Sequence, residues 1–210
     1  MSSTQEMERR AWPVERLETR GEQGEASPVI EGYAAMFDTL SVDLGGFRER
    51  ILPGAFARSI VQNDVRALWD HDAKYVLGRN TAGTLALEED ARGLRIVATP
   101  PNTTWAADLM TMMKRGDVNQ MSFGFYVRED EWADVDGVLI RTLRDVDLFD
   151  VSIVSFPAYV ETSAEARARA GEMTANSTAR TPIEEGERAR ARARRAARQR
   201  EIEILNEVMR

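Results

Sequence analysis

The sequence contains no cysteine and one histidine, His71. The missing cysteine excludes a disulfide framework, a thiol nucleophile and any thiolate metal site. A lone histidine excludes a multi-histidine metal centre within one subunit, so all imidazole chemistry falls to His71. Lysine is scarce as well: arginine outnumbers it 26 to 2, a bias we read as genome composition rather than function. No apolar run approaches the roughly 20 residues that span a bilayer. Met1 to Arg10 is polar and mixed in charge, without the apolar core of a secretion signal. The expectation is an intracellular protein with no membrane partner.

What is present is ordinary for a globular chain: 43% hydrophobic and 30% charged residues. At 210 residues it can bury one good core, with roughly 40 to 50 residues left over. The net charge of −7 is unevenly placed. Residues 1–160 hold 17 basic and 26 acidic side chains, whereas residues 161–210 hold 11 and 9. An acidic body offers no general electrostatic footprint for nucleic acid. Acids and alanines interspersed among Arg188 to Arg200 fit a solvated helix better than a nucleic-acid surface.

Period-2 alternation dominates the body. Residues 1–11 read as disordered, and 12–160 as a single domain. Strands are expected over Trp12–Arg20, Val29–Phe37, Phe47–Leu52, Val65–His71, Val76–Arg79, Gly83–Glu88 and Gly93–Thr99. Pro53 suits the first turn of a helix carrying Phe56 and Ile60 four apart. Thr103 or Thr104 can cap a helix from Trp105 to Arg115, with Trp105, Leu109 and Met112 on one face and Gly116 beyond its end. A strand from Gln120, a turn near Asp134–Gly137 and a long strand pair ending at Pro157 follow. The fold class is mainly β with inserted helices, an antiparallel sheet closing on itself. From Glu161 the composition shifts to alanine, arginine and glutamate. Residues 161–182 read as linker, and 183–210 as a helical tail whose apolar stripe is confined to Ile202, Leu205 and Met209. Such a tail binds a partner, oligomerises or frays.

Three stretches could carry chemistry. In Gln120-Met121-Ser122-Phe123-Gly124-Phe125-Tyr126-Val127, the large apolar residues alternate with Ser122, Gly124 and Tyr126. One face is therefore core, and the other carries a hydroxyl with space above it at Gly124, where a substrate backbone could lie. In Leu68-Trp69-Asp70-His71-Asp72, a strand places His71 on one face with Trp69. An imidazole is the base a serine hydroxyl needs near neutral pH. In Arg144 to Ser155, Asp150 shares its face with Val146, Leu148 and Val154, a lone acid in a core-like strand. A buried carboxylate needs a partner, and orienting an imidazole would supply one. Each has a plainer reading alone: a surface serine, a structural histidine, and a salt bridge from Asp150 to an arginine at the core's edge.

Together these blocks resemble the prohead proteases, the capsid-maturation serine proteases of tailed bacteriophages, distantly related to the herpesvirus assemblins. The residues carrying the resemblance are Trp69-Asp70-His71-Asp72, Gln120-Met121-Ser122-Phe123-Gly124-Phe125 and Leu148-Phe149-Asp150-Val151-Ser152-Ile153-Val154-Ser155-Phe156-Pro157-Ala158. Ile30 to Phe37 and Ile51-Leu52-Pro53-Gly54-Ala55-Phe56 match earlier blocks in the same order. The resemblance implies Ser122 as nucleophile, His71 as general base and Asp150 as third member, where the family usually has a glutamate. It implies a closed β-barrel of the herpesvirus-protease type, no cofactor and no metal. It also suggests an arginine near the oxyanion, Arg141 or Arg144. Implied partners are the major capsid protein or its scaffolding segment, the protease itself as substrate, and a homodimer or higher oligomer. The implied location is the host cytoplasm, inside the assembling procapsid, with residues 161–210 as a self-cleaved or targeting extension. The alternative is a non-enzymatic scaffold or capsid-assembly protein with a β-rich body and helical tail.

Overall fold

The alternation that begins at Gln120 does not stop where its apolar residues do. The computed structural model, which describes residues 6–12, 18–20, 29–156 and 164–178, carries it through to Val135 as one strand. In chain order the strands are β1 (Glu8–Trp12), β2 (Glu18–Arg20), β3 (Val29–Met36), β4 (Arg48–Ile51), β5 (Arg66–Trp69), β6 (Asp72–Arg79), β7 (Leu85–Glu89), β8 (Gly93–Ala98), β9 (Gln120–Val135) and β10 (Val138–Val154). The helices are α1 (Ser59–Gln62), α2 (Thr104–Arg115) and α3 (Ala164–Thr178). β9 and β10 form a long hairpin. Its two-residue turn, Asp136-Gly137, has φ of 55° and 82°, the double left-handed pair that matches the right-handed twist of the flanking strands.

This hairpin is the spine of a six-stranded sheet ordered β1-β9-β10-β5-β6, with β4 also paired to β10. A second sheet runs β2-β3-β8-β7. Both are open paths among the described residues, and neither closes into the expected barrel. Nor is the first sheet purely antiparallel: β4 pairs in parallel with Ile140–Leu143 of β10, and β5 with Asp150–Ile153. Alternation shows that a segment is a strand but not which way its neighbour runs.

The core lies between the sheets. Met121, Phe123 and Phe125 of β9 and Val146, Leu148, Val151 and Ile153 of β10 share it with Ile30, Leu94, Ile96 and Leu109. Phe123 meets Phe56 edge-on at 5.5 Å between ring centroids and stacks with Phe125 at 5.0 Å. Each such side chain contributes about 1.5–3 kcal/mol on burial, which lets the opposite face of the same strands carry polar groups. α2 starts after Thr103 and ends at Gly116, whose φ is 83°, as its sequence predicts. Its buried stripe is Ala106, Leu109, Met110 and Met113, while Trp105 and Met112 are half-buried.

The strand pair expected after Val138 is the single strand β10, the strand expected from Val76 already begins at Asp72, and the helix expected from Pro53 begins at Ser59. Two stretches expected to lack regular structure also have it. Residues 8–11, expected to be disordered, belong to β1, which pairs antiparallel with Met121–Phe125. The polar composition that suggested disorder is instead a buried ionic network. Arg10 donates to Glu49 at 2.8 and 3.0 Å and to Glu8 at 2.5 Å, and Arg141 donates to Glu8, Glu49 and Asp130. Burial alone would lower the affinity of both guanidiniums for their protons. Glu49 and Glu8 more than reverse that, so both are held above the usual arginine value. Because Glu49 is wholly buried, Glu49→Ala leaves two arginines undercompensated. It should cost about 3–5 kcal/mol, read as a lower midpoint in urea unfolding.

Likewise, the expected 161–182 linker contains α3. Ala166 and Ala170, one turn apart, lie against Leu44, Phe47 and Leu139, with Trp132 and Met173 at the edge. A stripe made of alanine gives almost no hydrophobic signal in a sequence but lets a helix approach closely. The expected tail over 183–210 lies outside the described residues.

Candidate active site

Three adjacent strands converge on one face of the six-stranded sheet. Ser122 comes from β9, Asp150 from β10 and His71 from the turn after β5, and these three strands are consecutive neighbours. Because Met121, Phe123 and Phe125 fill the core, the intervening Ser122 must face the other way. It is fully buried, opposite Ala11 of β1 on one side and Ser152 of β10 on the other.

His71 is not on a strand, contrary to the sequence expectation. It is the second residue of a two-residue hairpin turn joining β5 to β6, in which Trp69 pairs with Asp72. Asp70 and His71 have φ of 50° and 57°, a left-handed pair in which aspartate and histidine are among the tolerated residues. The turn is tied down at the end of β10. Asp70 N–H donates to the Ile153 carbonyl at 2.8 Å, and the Asp70 carboxylate accepts from Ser155 N–H at 2.7 Å and from its hydroxyl at 2.9 Å. Alternation does not mark this turn; its sequence signal is the pair of polar, left-handed-tolerant residues between apolar runs.

So anchored, the imidazole bridges the other two groups. His71 Nδ1 is 2.6 Å from Asp150 Oδ1, and Nε2 is 2.8 Å from Ser122 Oγ. The histidine side chain is 8% exposed and that of Asp150 2%. An ionised carboxylate can only accept, which makes Nδ1 the protonated nitrogen and leaves Nε2 to accept from the serine hydroxyl.

Asp150 reaches this position through a β-bulge. The register of β10 against β9 slips between Leu148 and Asp150, leaving Phe149 as an extra, half-exposed residue. Leu148 then shares the core with Val151 and Ile153, while Asp150 and Ser152 take the other face, opposite Gly124 and Ser122. Alternation alone groups Asp150 with Leu148, and the bulge reverses that parity.

Gly124 leaves room for the acid. A Cβ there would lie 2.5 Å from Asp150 Oδ2 and 3.4 Å from its Cγ, with Met7 Sδ at 3.6 Å. The space above this glycine seats the Asp150 carboxylate.

Neither arginine suggested for the oxyanion joins this cluster. Arg141 is held in the buried network with Glu8, Glu49 and Asp130, its guanidinium over the Trp132 ring. Arg144 is half-exposed and paired with Glu131. A residue that sequence reasoning overlooked is Ser152, whose hydroxyl donates to Asp150 Oδ1 at 2.7 Å. Its signal was available: a serine two residues from the acid, on the same face of a core strand. Among the described residues no cluster of acids and histidine could hold a metal ion, and no helix is long and apolar enough to cross a membrane.

A hydroxyl, an imidazole and a carboxylate in an unbroken hydrogen-bonded line can make an alkoxide-like nucleophile without metal or thiol. Residues 15–177 match the family described as Caudovirus prohead serine protease. The prohead protease of Enterobacteria phage HK97 is 30% identical over 141 residues, covering 66% of this chain and 57% of that protein. The chain thus spans little more than half the length of that relative. The bacteriophage T4 capsid assembly protease aligns with a TM-score of 0.48 and 9% identity, covering 74% of this chain and 100% of the other. The family match encloses the serine, the histidine and the acid together with most of both sheets, and the chain belongs to the caudovirus prohead serine protease family.

Proposed function

We propose that the protein is a serine endopeptidase of phage procapsid maturation, with Ser122 as nucleophile, His71 as general base and acid, and Asp150 as the orienting carboxylate. The observation that carries this reading is the relay from Asp150 Oδ1 to His71 to Ser122 Oγ, at 2.6 and 2.8 Å. In acylation, His71 Nε2 takes the Ser122 proton as Oγ attacks the scissile carbonyl. The tetrahedral adduct then expels the amine, which leaves with the proton from His71. In deacylation a water gives its proton to His71 and attacks the acyl carbon, and the proton returns to Ser122 Oγ. Asp150 stays ionised throughout, stabilising the imidazolium and fixing the tautomer.

The family supports the substrate class: the scaffolding segment of the major capsid protein and the protease itself, cleaved inside the assembling procapsid. Covalent labelling is the direct test. A fluorophosphonate probe should label wild type on Ser122 and leave Ser122→Ala and His71→Ala unlabelled. Equal labelling of all three proteins would exclude this site.

A further inference from the structure

We infer that Ser152 is a positioning residue of the active site, the fourth member of a Ser152–Asp150–His71–Ser122 chain. The inference rests on the triad reading above and extends it by one group.

Ser152 is wholly buried on β10. A hydroxyl that cannot reach water must find a partner in the protein, and this one donates to Asp150 Oδ1 at 2.7 Å. That oxygen is the one that accepts from His71 Nδ1 at 2.6 Å. Two donors thus converge on a single carboxylate oxygen, from β10 itself and from the β5–β6 turn. An Asp side chain has two rotatable bonds, and a carboxylate held by His71 alone could swing about them. The serine fixes the oxygen from within the same strand, two residues away, where the strand period guarantees a shared face.

The position is set by the same register slip that delivers the acid. With Phe149 extruded, Asp150 and Ser152 both turn to the face of Ser122, and Ser152 sits directly opposite the nucleophile. Without the bulge, Ser152 would face the core. Among the described residues its hydroxyl makes one side-chain hydrogen bond, to the acid.

Two substitutions and two readouts test this. Ser152→Ala removes the donor, and Ser152→Thr keeps it with a side chain suited to a strand. The first readout is the rate of fluorophosphonate labelling. The second is the nuclear magnetic resonance signal of the imidazole Nδ1 proton, which is unambiguous because His71 is the only histidine. Ser152→Ala is expected to slow labelling roughly 10- to 100-fold, the range of one hydrogen bond to a charged group. Its Nδ1 proton should exchange faster with water than in wild type. Ser152→Thr should restore both to near wild type. Wild-type labelling and an unchanged ring proton in Ser152→Ala would overturn the inference. So would an equal loss in both variants with equally lowered melting temperatures, since packing alone then explains the serine. If wild type itself is not labelled at Ser122, the protease reading fails instead, and the ring proton still decides whether Ser152 holds the Asp150–His71 pair.

Discussion

Ser122→Ala should lower turnover of a co-expressed capsid or scaffold substrate by on the order of 10⁵- to 10⁶-fold, with the fold retained. The side chain lost is small and sits on the polar face of β9, while the strand's core contacts come from Met121, Phe123 and Phe125. Stability should therefore change little as activity disappears. His71→Ala should lose a comparable factor, because a hydroxyl without a base is a poor nucleophile near neutral pH. In the proposed mechanism the two residues, bonded at 2.8 Å, act as one unit, so the double variant should be no slower than either single one. The check is a cycle of the four proteins assayed by the rate of substrate disappearance on a gel. Multiplicative losses would mean that the two side chains act independently, which is incompatible with a shared proton.

Gly124→Ala is the second large effect, and the more diagnostic one. The added Cβ would stand 2.5 Å from Asp150 Oδ2, a separation that non-bonded atoms do not tolerate. The backbone of β9 can accept alanine as a strand residue, so the carboxylate must move. It has little room: the side chain is 2% exposed and is held by His71 and Ser152. Displacing it should lower kcat by roughly 10²- to 10⁴-fold, approaching the loss when the orienting acid of such a triad is neutralised. An overpacking cost of about 1–3 kcal/mol should accompany it. If Gly124 were instead a resting place for the substrate, alanine would raise KM and spare reaction with a small probe. Fluorophosphonate labelling separates the two: slow labelling of Gly124→Ala supports the seat for the acid, and wild-type labelling with a raised KM overturns it.

Gly124 also shows how far a sequence can be read. That Ser122 and Gly124 share a polar face follows from alternation with Met121, Phe123 and Phe125, a relation between neighbours along the chain. What fills the space above Gly124 comes from β10, 26 residues further on in register at Asp150, and no local pattern encodes it. The same division holds for the histidine. A lone imidazole in a chain without cysteine was bound to matter if any base chemistry occurs, but its aim depends on a left-handed turn stapled to Ser155. Residues 1–11 looked disordered, and Arg141 a candidate for the oxyanion, for a related reason. Charges look solvated in a sequence until pairing across β1, β4 and β10 brings opposite signs within 3.2 Å.

The sequence by itself determined the β-rich class, the α2 helix with its cap at Gly116, the core face of β9 and the three side-chain types capable of the chemistry. These are consequences of period, capping and composition, all short-range. Only the tertiary structure decided how the strands divide between two sheets, that β4 and β5 run parallel to β10, that the slip at Phe149 turns Asp150 toward His71, and that β1 is an ordered strand. Those outcomes depend on register between distant segments, where a shift of one residue exchanges the two faces of a strand.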